Sequence, residues 1–426
     1  MVTQSFVQSF LILISATLFL SYISNLFYAK TRIPDIVWLL GFGYLIGPVL
    51  GFFEIGTFMS IFPLLILVTV SIFSFDTGIN VDISSVMRTA VKALILSMTT
   101  FLAVTFIIGF SVSFLFPQHF KLLEGLLLGA MIGGLGGISV TGILDQLKTL
   151  IPFIEDEGIV LKLESTISDP IKVVACVTLI RMIMSPGLSL EDGFKDIVFT
   201  FTVSILFGLI VGLLWAEVLN FLWGRPFNYM MTVAALFPIY IASESIAGTG
   251  GGPITALAFG LTITNYRYIS RKIGSNRKVR INKKRIREFN MEITFLIKAF
   301  FFVYLGLTVE LSLEYSLVAL GIVTLMLCVR YMVASGVGSL LNFTVGERVL
   351  SRVIYLQGTS ALVLSELPGL LDPMGQHLDL DIYKNFAYPI VLLTIIFVSS
   401  VGPTLAKRQL RTMEGRESAS AEAHVI

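Results

Sequence analysis

Residues 164–172 read Glu-Ser-Thr-Ile-Ser-Asp-Pro-Ile-Lys and place two carboxylates and an ammonium inside the apolar run 158–182. A run of that length can cross a bilayer, for which about 20 residues suffice. A charge at bilayer mid-depth costs roughly 2.5–3.5 kcal/mol on insertion scales, so it persists where a partner or a transported ion meets it. Any fold open to this chain must therefore bring other polar groups to the depth of Glu164, Asp169 and Lys172.

Composition fixes the solvent. Of 426 residues, 55% are hydrophobic and 14% charged, with a mean hydropathy of +0.87, against about 45–50% and 25% in soluble chains. The runs are long and continuous rather than short and alternating, which predicts an all-α polytopic membrane protein and not a barrel. Cys176 and Cys328 both lie in apolar runs and there are three histidines, so neither a disulfide framework nor a metal-thiolate site is expected. The basic stretch 271–287 reads as a cytoplasmic loop near lipid headgroups rather than a nucleic-acid patch. No stretch is long enough for a soluble nucleotide-binding domain, and no cofactor is expected.

Spans are expected near 5–28, 34–53, 59–76, 89–116, 122–147, 158–182, 196–222, 227–246, 252–266, 290–312, 315–343, 349–371 and 383–406, about thirteen in all. The N-terminus lacks the basic region and cleavage site of a secretory signal, so the first run is expected to be a retained helix. Basic residues fall on alternate connections: Lys30 and Arg32, Arg88 and Lys92, Lys148, Arg225, the cluster up to Arg287, Arg348 and Arg352, and Lys407 to Arg411. The other connections carry Glu54, His119, Glu191, Asp192, Glu310, Glu314, Asp372, Asp379 and Asp381. The positive-inside rule then puts the N-terminus outside and the C-terminus in the cytoplasm.

Two spans carry helix-breaking clusters. The fifth holds Gly133-Gly134-Leu135-Gly136-Gly137, and the twelfth holds Gln357-Gly358-Thr359-Ser360 with Pro368-Gly369 after it. They stand seven spans apart, an odd offset, so in a chain of two homologous halves they would run in opposite directions. Interrupted helices at corresponding positions of inverted halves point to a secondary-transporter binding site. Unwound carbonyls, helix-end dipoles and the hydroxyls of Ser139, Thr141, Thr359 and Ser360 are candidate ligands there.

On the sixth span, at about 100° per residue, Glu164, Ser168, Lys172 and Asp169 share one face. Carboxylate oxygen suits a hard monovalent cation and also binds a proton, and a group that holds either one but not both makes exchange obligatory. Asp169 is the candidate carrier. Glu164 is expected to pair with Arg330 from the eleventh span, leaving Lys298 of the tenth to helix-end or packing duty. Lys172 could neutralise Asp169 or pair with Glu164, and both arrangements stay open. Asp76 is expected to serve its helix terminus, and Glu244 and Glu366 to sit hydrated at outer helix ends.

Leu-Glu-Ser-Thr-Ile-Ser-Asp-Pro (163–170) resembles the sixth-helix motif Leu-Glu-Ser-x-x-Asn-Asp-Pro of the monovalent cation:proton antiporters, in the branch of NhaP-type Na⁺/H⁺ exchangers. Phe-Phe-Val-Tyr-Leu-Gly-Leu (301–307) and Phe-Asp-Thr-Gly (75–78) are similar to its tenth- and third-helix signatures. The resemblance covers essentially the whole chain. It implies an NhaA/NhaP-like inverted repeat with discontinuous helices 5 and 12 in a transmembrane domain over 1–412. It further implies a homodimer with interface helices at about 5–76 and 227–312, a linker helix at about 196–222 and a mobile core at about 89–182 and 315–406. The tail 413–426 is expected to be short and disordered. Asp169 matches the family's ion-binding aspartate, Ser168 the residue before it, and Glu164 with Arg330 the buried acid–base pair.

The sequence departs from that pattern in three places. Ser168 replaces Asn or Asp, Leu135-Gly136-Gly137 stands where many relatives have Thr-Asp-Pro, and Gln357-Gly358 replaces an Arg-Gly pair. Gly136, the hydroxyls and the backbone are left to complete the site, and Lys172 can stand in for the missing arginine. The expected function is exchange of Na⁺ (or K⁺ or Li⁺) for H⁺ across the cell membrane. One titratable carboxyl makes that exchange electroneutral. A sodium-coupled symporter of an organic anion on the same fold, and a cation channel or sensor, are the alternatives.

Overall fold

A computed structural model describes the chain except residues 1–3, 32, 53–61, 82, 84–88, 149–156, 185–189, 226, 249, 275–278, 310–311 and 424–426. Arg32, Glu54, Arg88 and Glu310 of the loop-charge pattern therefore lie outside the described residues. The described residues are helical almost throughout: α1 (Gln4–Thr31), α2 (Asp35–Tyr44) continued by a π turn (Leu45–Val49), α3 (Phe62–Asn80), α4 (Ala90–Leu115), α5 (Leu122–Met131), α6 (Gly137–Lys148) and α7 (Ile159–Met184). The second half holds α8 (Leu190–Phe221), α9 (Asn228–Ala247), α10 (Gly251–Thr264), α11 (Tyr266–Lys272), α12 (Lys283–Thr308), α13 (Leu313–Leu340), α14 (Val345–Val353), α15 (Thr359–Ser365), α16 (Leu367–Leu371) and α17 (Ile382–Ala423).

Eight helices among the described residues are long and apolar enough to cross a membrane, and four shorter apolar helices lie between them. Their order follows the expected apolar runs. Two of those runs are broken. The fifth stops at Met131 and resumes at Gly137, and the twelfth is divided into α14, α15 and α16, with residues 354–358 outside any helix. Consecutive glycines in the first gap lose more entropy on folding than any other residue and pack no side chain, so the helix yields there. The last helix, α17, runs through residues 413–423. That stretch holds three Ala and three Glu, which favour helix.

Several polar side chains inside spans bond back to their own helix, which offsets their desolvation cost. Ser165 and Thr166 donate to the Lys162 carbonyl at 2.8 and 2.9 Å, and Thr69 and Ser71 do the same on α3. Small residues let helices approach. At Gly43 on α2 a Cβ would lie 2.1 Å from the Val303 carbonyl oxygen of α12, and Gly306 on α12 faces the Leu40 carbonyl in the same way. The motif 301–307 thus marks a tight helix contact, with Phe301, Phe302 and Leu305 buried rather than turned to lipid.

Candidate ion site

The two unwound segments meet. The Gly136 N–H donates to the Leu356 carbonyl at 3.0 Å, and a Cβ on Gly136 would fall 2.6 Å from both Cα and N of Gly358. Only a glycine lets these backbones cross so closely. Gln357, beside the crossing, is buried; its N–H donates to Thr394 Oγ1 at 3.2 Å.

Helix α7 runs past the crossing and supplies the charges. Its Ser168 hydroxyl lies 3.2 Å from the Leu135 carbonyl and 3.0 Å from that of Ser165, and it accepts the Leu135 N–H at 3.3 Å. One hydroxyl thereby holds the first unwound segment against α7. The Lys172 side chain is fully buried, with Nζ 2.8 Å from Asp169 Oδ1 and 2.5 Å from Ser360 Oγ in the first turn of α15. Its methylenes pass so close to the other segment that a Cβ on Gly134 would sit 2.8 Å from them. Lys172 therefore ties α7 to both broken helices. Of its two possible partners the structure gives Asp169, not Glu164.

Glu164 goes to Arg330. Arg330 Nη2 donates to Glu164 Oε2 at 2.8 Å and Nη1 to Oε1, a bidentate pair in which both side chains are buried. The rest of the guanidinium is also engaged, with Nη1 on Thr100 Oγ1 at 3.0 Å, Nε on the Ser351 carbonyl at 2.6 Å, and the Tyr355 ring 5.2 Å away. The pair thus joins α4, α7, α13 and the end of α14.

Asp169 differs from its neighbours in exposure. Its side chain is 25% accessible, where that of Lys172 is 0% and that of Glu164 2%. It opens on a cavity of about 220 Å³ between α3, α7, α9, α10 and α15–α16. The walls are mainly apolar, among them Val70, Ile254 and Leu371, and the polar side chains are those of Asp169, Ser360, Ser74, Thr77, Tyr240 and Glu244. Glu244 is not simply hydrated at a helix end. It accepts the N–H groups of Gly250 and Gly252 at 3.0 and 2.8 Å and so caps α10 across the turn from α9.

Other expected site residues fall elsewhere. Lys298 lies outside the α7 group and pairs with Asp35 at the start of α2, at 2.7 Å to both oxygens. Asp76 accepts from Asn290 at 2.6 Å. The side chains of Ser139, Thr141 and Thr359 lie outside the described residues; their backbones belong to α6 and to the start of α15. Glu366 overturns the expectation of hydration, for it is 1% exposed and accepts a hydrogen bond from Tyr388. Thr100, Ser351 and Thr394 join the site through backbone and hydroxyl contacts across long stretches of chain, for which the sequence carries no local signal.

The model of the sodium/hydrogen exchanger transmembrane family matches residues 15–411. The fold is similar to the structure of the sodium proton antiporter MjNhaP1 from Methanocaldococcus jannaschii at pH 8, with a TM-score of 0.76 and 19% identity over 94% of this chain and 99% of that one. A second structure of that antiporter, from an electron-microscopy map, matches with a TM-score of 0.68 and 18% identity over 93% and 96%. A family match spanning nearly the whole chain, on a helical fold with two crossed unwound segments, leads to one conclusion: the chain belongs to the sodium/hydrogen exchanger family.

Proposed function

We propose that this protein exchanges Na⁺ for H⁺ across the cell membrane by alternating access, with Asp169 as the group that carries either ion. The observation that supports this most directly is the asymmetry at α7, where Asp169 alone among that helix's three site charges faces the cavity while Lys172 waits behind it. Without a transported ion the Lys172 ammonium balances the Asp169 carboxylate. A proton or a monovalent cation arriving through the cavity takes over that carboxylate, and Lys172 keeps the Ser360 hydroxyl. Asp169, Ser360 and nearby backbone carbonyls are oxygen ligands of the kind a hard cation takes.

The site charge is then the same with one Na⁺ or one H⁺ bound, provided that Lys172 keeps its proton throughout. Exchange is accordingly one for one and electroneutral. Both carboxylates on the cavity wall, Asp169 and Glu244, oppose an organic anion. Movement of a core built on α4–α7 and α13–α17 against the remaining helices, in a homodimer with its N-terminus outside, is the arrangement we assign to the cycle.

In proteoliposomes with an imposed proton gradient, Na⁺ should dissipate the gradient, and Asp169→Asn should abolish the response while still assembling. Na⁺-driven proton flux that persists in Asp169→Asn would remove Asp169 from the mechanism.

A further inference from the structure

Glu366 lies at the junction of α15 and α16, on a helix whose other face lines the cavity through Val363, Leu364 and Leu367. A buried carboxyl in such a place needs its own account, because the exchange site does not use it. Its Oε1 accepts from the Tyr388 hydroxyl, and its Oε2 lies 3.6 Å from the Lys384 ammonium. Lys384 is also 3.3 Å from Asp381 Oδ1. Side-chain exposure rises steadily along this chain, from 1% at Glu366 to 23% at Lys384 and 80% at Asp381. Lys384 and Tyr388, four residues apart, line one face of α17, and Asp381 stands just before its first residue, three positions ahead of Lys384. From α12, Thr308 hydrogen-bonds Tyr388, and Tyr304 lies within electrostatic reach of Glu366 and Tyr388.

We propose that Glu366 is a second proton-binding carboxyl of the transporter, reached from solvent through Asp381 and Lys384 and coupled to the exchange site through α15. The carboxylate and the ammonium hold α15–α16 to α17 as an ion pair. Protonation of Glu366 cancels the pair and leaves Lys384 to Asp381, while Tyr388 can bond the neutral carboxyl as well. Ser360, which holds Lys172, lies six residues earlier on α15, about 9 Å along the axis. A proton on Glu366 thus acts on the element that carries Lys172 without touching Asp169. The groups facing Glu366 are Lys384, Tyr388 and Asp381 from the α17 side and Tyr304 from α12.

The coupling rests on the exchanger reading; the protonation does not. Infrared difference spectra of the purified protein in lipid, taken between alkaline and acidic pH, should show a protonated-carboxyl band that Glu366→Gln lacks. A spectrum that the substitution leaves unchanged overturns the proton site, whatever the protein transports. In vesicles, proton competition at Asp169 governs the apparent KM for Na⁺, whereas Glu366 should govern the pH dependence of the maximal rate. Glu366→Gln is expected to flatten the latter and keep the former. Tyr388→Phe retains the carboxyl and should shift the maximal-rate profile without flattening it, which gives a second reading if Glu366→Gln fails to assemble. Profiles superimposable on wild type in both variants overturn the coupling.

Discussion

Lys172 and Asp169 stand one helical turn apart with Nζ and Oδ1 at 2.8 Å, and the lysine is the fully buried member of the pair. An ion that binds Asp169 must therefore displace a tethered ammonium that also donates to Ser360. Replacing Lys172 by Met removes this internal competitor. At alkaline pH the apparent KM for Na⁺ should fall roughly five- to tenfold, the equivalent of about 1 kcal/mol of competition removed. Initial rates of Na⁺-driven proton flux over a range of Na⁺ concentrations measure this directly. An unchanged or raised KM would mean that Lys172 helps to hold the cation.

Electroneutrality follows from a lysine that keeps its proton. Exchange rates in potassium-loaded vesicles should then be the same with the membrane potential clamped by valinomycin at zero or at a negative value. With Na⁺ entering and protons leaving the vesicle, two protons per Na⁺ would give a rate that falls with inside-negative potential, by up to about 2.3 kcal/mol of driving force per 100 mV for each net charge moved.

The crossing of the unwound segments depends on Gly136, whose hypothetical Cβ would meet the Gly358 backbone at 2.6 Å. Backbone cannot turn aside as a flexible side chain can. Gly136→Ala should cost about 1–3 kcal/mol by overpacking, lower Tm in detergent and abolish exchange. Gly369→Ala, where a Cβ meets nothing within 4 Å, is the control and should behave as wild type in both assays.

What the sequence made legible was whatever carried a cost. Glu164, Asp169, Lys172 and Arg330 stood out because charges in apolar runs need partners, and the broken helices stood out because glycine clusters end helices. Distances between helices carry no such mark. Lys172 could reach Asp169 or Glu164 along its own helix, and Ser360, 188 residues away in sequence, completes its contacts. Lys298 finds Asp35 across 263 residues. The burial of Glu366 carries no local mark either, because Tyr388, which donates to its carboxyl, comes from α17, 22 residues further along.

Outside the spans, Asp372 organises the turn after α16. Burial opposes its ionisation, but the N–H groups of His377, Gln376 and Leu378 outweigh that and hold its carboxyl below the ordinary carboxylate range. A depressed folded pKa gives stability that is complete above the unfolded value, about 3.9, and is lost as pH falls through the lower folded value. Hydrogen exchange of residues 376–378, corrected for its intrinsic pH dependence, should therefore show constant protection from neutral pH to about pH 5. Asp372→Asn should lose protection throughout that range.

Arg330 and Glu164 provide the sharpest distinction between structure and transport. Arg330→Met leaves Glu164 buried and unpaired, and breaking a buried pair in this way costs about 3–5 kcal/mol. Glu164→Gln strands the guanidinium similarly, although Ser351 and Thr100 still accept from it. The double variant removes both charges and should recover much of the lost Tm, because two matched neutral side chains carry no uncompensated charge. If the pair only braces α4, α7, α13 and α14, exchange should recover along with Tm. Recovered Tm without recovered exchange would place Glu164 or Arg330 in the transport cycle itself, beyond the bracing role the geometry assigns to them.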